Sequence, residues 1–91
     1  MNNPFEINKV VEVNEFGFMN KQGGTGLSNW KYDPKFVGVA KVAVIKFWYD
    51  YETGYRAIGV AQSKDLKNYL KTNASQMDQR VFVSQFDVKG A

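Results

Sequence analysis

Residues 37–62, VGVAKVAVIKFWYDYETGYRAIGVAQ, decide the fold of this 91-residue chain. Val37, Val39, Val42, Val44, Ile45, Phe47, Trp48, Tyr49 and Tyr51 are β-branched or aromatic, and no proline interrupts them, so the stretch reads as a long β-hairpin with its first strand central in a sheet. Its turn is written in the chemistry of Asp50-Tyr51-Glu52-Thr53-Gly54-Tyr55. Asp50 can cap a type I turn, and Gly54 supplies the positive φ that closes it.

Closing the loop with Asp50 and Tyr55 predicts a register. Trp48 then lies opposite Ala57, Lys46 opposite Gly59 and Val44 opposite Ala61, with Phe47 facing Ile58 and Ile45 facing Val60 on the other side. The Ile45, Phe47, Ile58, Val60 face is the expected core. The other face sets Trp48, Lys46 and Tyr55 beside a floor of Ala57, Gly59 and Ala61, which a helix can cover or a stacked ligand can use. A shift of one residue would exchange the two faces.

Working outward toward the N-terminus, residues 20–35, NKQGGTGLSNWKYDPK, have no hydrophobic period and read as a long loop. The loop interleaves Lys21, Lys31 and Lys35 with Trp30 and Tyr32. Gly23, Gly24 and Gly26 could offer amides to an anion, but they match neither the phosphate-binding loop, which ends in Gly-Lys-Ser or Gly-Lys-Thr, nor the dinucleotide fingerprint. Asp33-Pro34 starts a turn into the hairpin. Before the loop, Ile7, Val11 and Val13 share one parity whereas Phe16 and Phe18 share the other. Residues 6–19 therefore form one bent strand or two short ones, shifted at Asn14-Glu15. Glu12 and Glu15, three apart on a strand, point to opposite faces and make no acid–base pair.

After the hairpin, Ser63 can cap a short helix over 63–73 in which Leu66, Tyr69 and Leu70 recur at helical spacing, leaving Lys64, Lys67 and Lys71 as a basic stripe. Residues 74–79 read as loop. Residues 80–88, RVFVSQFDV, alternate as a last strand, with Phe82, Phe86 and Val88 on one face and Val81 and Val83 on the other. The element order predicts one α+β domain over 1–91: a mostly antiparallel sheet of four to five strands with one short helix on one face. A small β-barrel of the oligonucleotide-binding kind is the alternative.

Composition narrows the function. The chain is 44% hydrophobic and 23% charged, the balance of a globular domain, and its seven Phe, five Tyr and two Trp supply the packing a short chain needs. With no His and no Cys, it lacks an imidazole base, a thiolate nucleophile and the usual zinc ligands. The expectation is a non-enzymatic protein without a metal or other cofactor. No stretch reads as a signal peptide or a membrane span, so the chain is expected in the cytoplasm without membrane contact. Ten lysines against two arginines, with frequent asparagine, suit AT-rich codons and hence a low-GC bacterium or its phage.

Two readings of function follow. A net charge of +3 and interleaved rings and cations point to single-stranded nucleic-acid binding through Lys21, Trp30, Lys31, Tyr32, Lys35, Lys46, Trp48, Lys67 and Lys71. The alternative is a protein–protein interaction module, such as a small phage-encoded regulator or inhibitor, or a homodimerising subunit, anchored by its tryptophans and tyrosines.

Overall fold

The long run of β-formers makes the hairpin anticipated from it, and the rest of the fold is arranged on that hairpin. The computed structural model describes residues 3–19, 30–33, 35–74 and 79–90. Among these are β1 (Val10–Glu12), β2 (Gly17–Met19), β3 (Trp30–Tyr32), β4 (Lys41–Asp50), β5 (Gly54–Ala61), α1 (Lys64–Asn73) and β6 (Arg80–Ser84), followed by one 3₁₀ turn, Gln85–Asp87. The strands form a single antiparallel sheet in the order β1-β4-β5-β6-β2-β3. The architecture is therefore α+β, with a six-stranded sheet in place of four or five strands. The extra strand is β3, which lies in the stretch read as loop: Trp30, Lys31 and Tyr32 pair with Met19, Phe18 and Gly17.

The turn follows its chemistry. Gly54 has φ of 74°, and Asp50 Oδ1 accepts the Glu52 amide at 2.8 Å, which holds the Asp50 carboxyl below the usual carboxylate range. The register, however, is displaced, by one residue above Ile45 and by two below it. Asp50 pairs with Gly54, Trp48 with Arg56, Phe47 with Ala57 and Lys46 with Ile58; after a bulge at Ile45, Val44 pairs with Gly59 and Val42 with Ala61. The bulge changes the parity of β4, so that Val42 and Val44 below it and Phe47 above it all face the same side.

The expected core face is accordingly inverted. Ala57, Gly59 and Ala61 are buried on the helix side with Val42, Val44, Val81 and Val83, while Ile45 is 45% exposed. A helix does cover the small-residue floor. Leu66 and Leu70, four residues apart on α1, are fully buried against it, and Phe5 and Phe16 fill the remaining space. Ser63 stands at the N-cap but its hydroxyl makes no cap bond. It donates instead to the Val39 carbonyl and accepts the Lys41 amide at 3.3 Å, while Asp65 accepts the Val39 amide at 3.4 Å, so the helix start is tied to the entry of β4.

The parity change between Val13 and Phe16 is real, since Val11, Val13 and Phe16 are all buried. It separates β1 from β2, which sit four positions apart in the sheet, about 19 Å if the sheet were flat. The five residue steps from Glu12 to Gly17 reach at most about 17 Å, so the sheet must curl to bring its two ends together. Hydrogen bonds across the ends confirm this: Asn14 donates to the Asp87 carbonyl at 2.7 Å, Lys89 to the Glu12 carbonyl at 2.7 Å, and Val13 bridges to Val88. The curled sheet is not closed, so the fold is not the barrel considered above. The final strand is also shorter than the alternation suggested, because Ser84 Oγ accepts the Phe86 amide at 3.5 Å and starts the 3₁₀ turn.

Candidate functional site

With α1 on one face of the sheet, the register assigns the other face to alternate residues of every strand: Val10 and Glu12 of β1, Lys41, Ala43, Lys46 and Trp48 of β4, Arg56, Ile58 and Val60 of β5, Arg80, Phe82 and Ser84 of β6, Gly17 and Met19 of β2, and Trp30 and Tyr32 of β3. No described element packs over this face. At its centre lies Phe82, only 2% exposed although it faces away from the helix. What buries it is other rings. Trp30 stacks on it with centroids 6.0 Å apart and planes 30° apart, Tyr32 meets it edge-on at 5.8 Å, and Trp48 leans over it at 5.9 Å. The Arg56 guanidinium sits 4.9 Å from the same ring's centroid, held by a 2.5 Å bond from Nε to Thr53 Oγ1.

Gly17 makes this convergence possible. It pairs with Phe82 on one side and Tyr32 on the other, and a Cβ there would stand 3.2 Å from the Lys31 carbonyl oxygen and 3.5 Å from Phe82 Cβ. Rings from the flanking strands therefore close over a position without a side chain. Trp30 and Trp48 are half-buried and Tyr32 is 42% exposed, so the cluster retains exposed ring surface.

Beside the rings is an open cleft of about 420 Å³ lined by Glu15, Tyr32, Glu52, Thr53, Arg56, Ser84, Phe86 and Asp87. Burial pushes the Tyr32 phenol up to about 12, with Arg56 opposing and Asp87 and Glu15 adding to the shift. Burial also raises the Asp87 carboxyl, and the neighbouring Glu15 charge raises it further. On this face Lys46 shares the rank of Ile58, Phe82, Gly17 and Tyr32, while Lys41 pairs with Glu12 at the edge.

The structure brings together Trp30, Tyr32, Lys46 and Trp48 from the residues proposed on sequence grounds. It sets others apart. Lys31 alternates away from Trp30 and Tyr32, Lys35 lies in the turn where its amide donates to Asp33 Oδ1 at 3.0 Å, and Lys67 and Lys71 lie exposed on α1, across the sheet from the rings. Lys21 and most of the 20–35 loop lie outside the described residues. Asp33 Oδ2 accepts the Tyr69 hydroxyl, which joins the end of β3 to the helix; desolvation and that bond push the Tyr69 phenol up to about 12.

Phe82, Arg56 and Gly17 were not legible as site residues. Phe82 reads as one more hydrophobic position of an alternating strand, and the displaced register hid Arg56 opposite Trp48. The available signal was Gly17 between two phenylalanines, a position that tolerates either a kink or a close neighbour. Among the described residues no group of three or more acidic, His or Cys side chains is placed to hold a metal, and no helix is long and apolar enough to cross a membrane. Comparison with protein-family models, with curated proteins and with solved structures finds no match for this chain.

Proposed function

We propose that this chain is a non-enzymatic, cytoplasmic single-stranded nucleic-acid-binding protein that works through the face of its sheet opposite the helix. The observation that carries the reading is the cluster of Trp30, Tyr32 and Trp48 around Phe82, with Arg56 over the same ring and Lys46 on the same face. Bases stack on the tryptophan and tyrosine rings, which accept any base because every base has a π-face. Phosphates are contacted by Lys46, which shares the rank of Phe82 and Tyr32.

The test is titration of tryptophan fluorescence with a 20-nucleotide single strand across a salt series. Trp48→Ala lowers affinity at all salts by about 1–3 kcal/mol, the worth of one stacked base. Lys46→Ala flattens the dependence of log affinity on log salt by about 0.7, the contribution of one phosphate on a single strand. Lys67→Ala and Lys71→Ala leave that slope as it is. No binding at low salt and micromolar protein refutes the reading.

A second reading is favoured by a different surface. Tyr49 packs against Tyr55 and Tyr51 at 4.9 and 5.5 Å between ring centroids, and Tyr51 is 96% exposed at the hairpin tip. Rigid tyrosines in that setting are suited to gripping a protein, as in a small regulator, inhibitor or homodimer. Retention of a partner from extract after nuclease treatment, lost on Tyr51→Ala, would favour this reading.

A further inference from the structure

The cleft beside the ring cluster differs from the rest of the open face in its chemistry. Three of its lining residues, Glu15, Glu52 and Asp87, are carboxylates, so a phosphate entering it would meet like charge. A strand lying on the Trp30, Tyr32 and Trp48 rings must therefore place a base there, with its backbone toward Lys46. The walls suit a base. Tyr32 borders both the ring cluster and the cleft, and Phe86 presents a large ring that is 62% exposed. The open cleft of about 420 Å³ lies in the size range of small-ligand sites.

The polar groups then choose among the bases. A carboxylate offers two adjacent acceptors, whereas Arg56 offers paired N–H donors whose direction is set by Thr53. Guanine alone carries two adjacent donors, N1–H and N2–H₂, and also an acceptor pair, O6 and N7, which is the partner arginine takes most often. Cytosine and adenine offer a single amino group to a carboxylate, and thymine turns carbonyl oxygens toward it. Resting on the nucleic-acid reading above, we propose that this cleft is a subsite for one guanine base, with the Asp87 and Glu15 carboxylates accepting from its N1 and N2 edge and Arg56 facing its acceptors. The raised Asp87 carboxyl fits this arrangement, since a poorly solvated carboxylate beside another gains most from new N–H donors.

The experiment compares three oligonucleotides by tryptophan quenching: a 20-nucleotide thymidine strand, the same strand with one central guanine, and the same strand with inosine in its place. The guanine strand binds about tenfold more tightly than the thymidine strand, the scale of one good bidentate base contact. Inosine, which lacks the N2 amino group, loses most of the gain. Asp87→Asn and Glu15→Gln, each checked for folding by circular dichroism, bring the guanine-to-thymidine ratio toward one. Equal affinity of the wild-type protein for all three strands overturns the guanine subsite and leaves the nucleic-acid reading standing. A guanine preference that survives both substitutions also overturns it, because the base is then read elsewhere. Failure to bind any of the three strands overturns the nucleic-acid reading, and the subsite with it.

Discussion

Gly59→Ala tests the register of the central hairpin, because the displaced pairing is what makes Gly59 necessary. Gly59 pairs with Val44 just below the bulge in β4, and a Cβ added there would lie closer than 3.0 Å to Val42 Cγ1 and to the Ala43 carbonyl oxygen, and 2.9 Å from the Ala43 carbonyl carbon. In an unconstrained strand the same substitution would stabilise by roughly 0.4–1 kcal/mol through the unfolded chain. Here the alanine must displace strand backbone, and overpacking of that kind costs about 1–3 kcal/mol. The net expectation is a loss of about 1–2 kcal/mol. At about 4–8 °C per kcal/mol for a domain of this size, Tm should fall by roughly 5–15 °C. Thermal and urea unfolding followed by circular dichroism measure it. The Val42→Ala, Gly59→Ala double variant adds a second check: truncating Val42 removes one obstruction but leaves the Ala43 carbonyl, so it restores only part of the loss. A Gly59→Ala protein as stable as wild type or more so would refute the bulge and the pairing built on it.

Phe16→Ala, at a fully buried site, should cost roughly 3–5 kcal/mol, whereas Phe47→Ala, on the core side but only half-buried at its rim, should cost about half of that or less. Equal losses for the two in urea unfolding would count against the rim position of Phe47. In alkali, Tyr32 and Tyr69 should ionise late, near pH 12 against an ordinary 10.0. Because the folded state raises both values, their contribution to stability is complete below about pH 10 and is lost as pH rises toward 12. Ultraviolet titration of the phenolates should show two equivalents near pH 12, one of which disappears in Tyr69→Phe; the absence of any such late equivalent would refute the burial of these rings.

The hairpin, its turn at Asp50 and Gly54, the helix over Leu66 to Leu70 and the change of parity before Phe16 were all determined by the sequence itself, whereas the short edge strand β3 was not. Each feature so determined is local: β-branching, a turn residue, a period of four or a shift of one can be read without knowing what lies opposite. The pairing register, the face that becomes core and the site were decided by tertiary structure. The bulge at Ile45 leaves no compositional mark, because isoleucine suits a strand whether or not it is paired, yet it moves Arg56 opposite Trp48 and sends Ala57, Gly59 and Ala61 inward under the helix. The ring cluster depends on the curl that carries β2 from one end of the sheet to the other, beside β6, where Gly17 leaves room for Trp30 and Tyr32 to reach Phe82. Gly17, Trp30 and Tyr32 are 50 or more positions from Phe82, and a contact over such a span follows from how the sheet curls around its own hydrophobic face, not from any pattern within one strand.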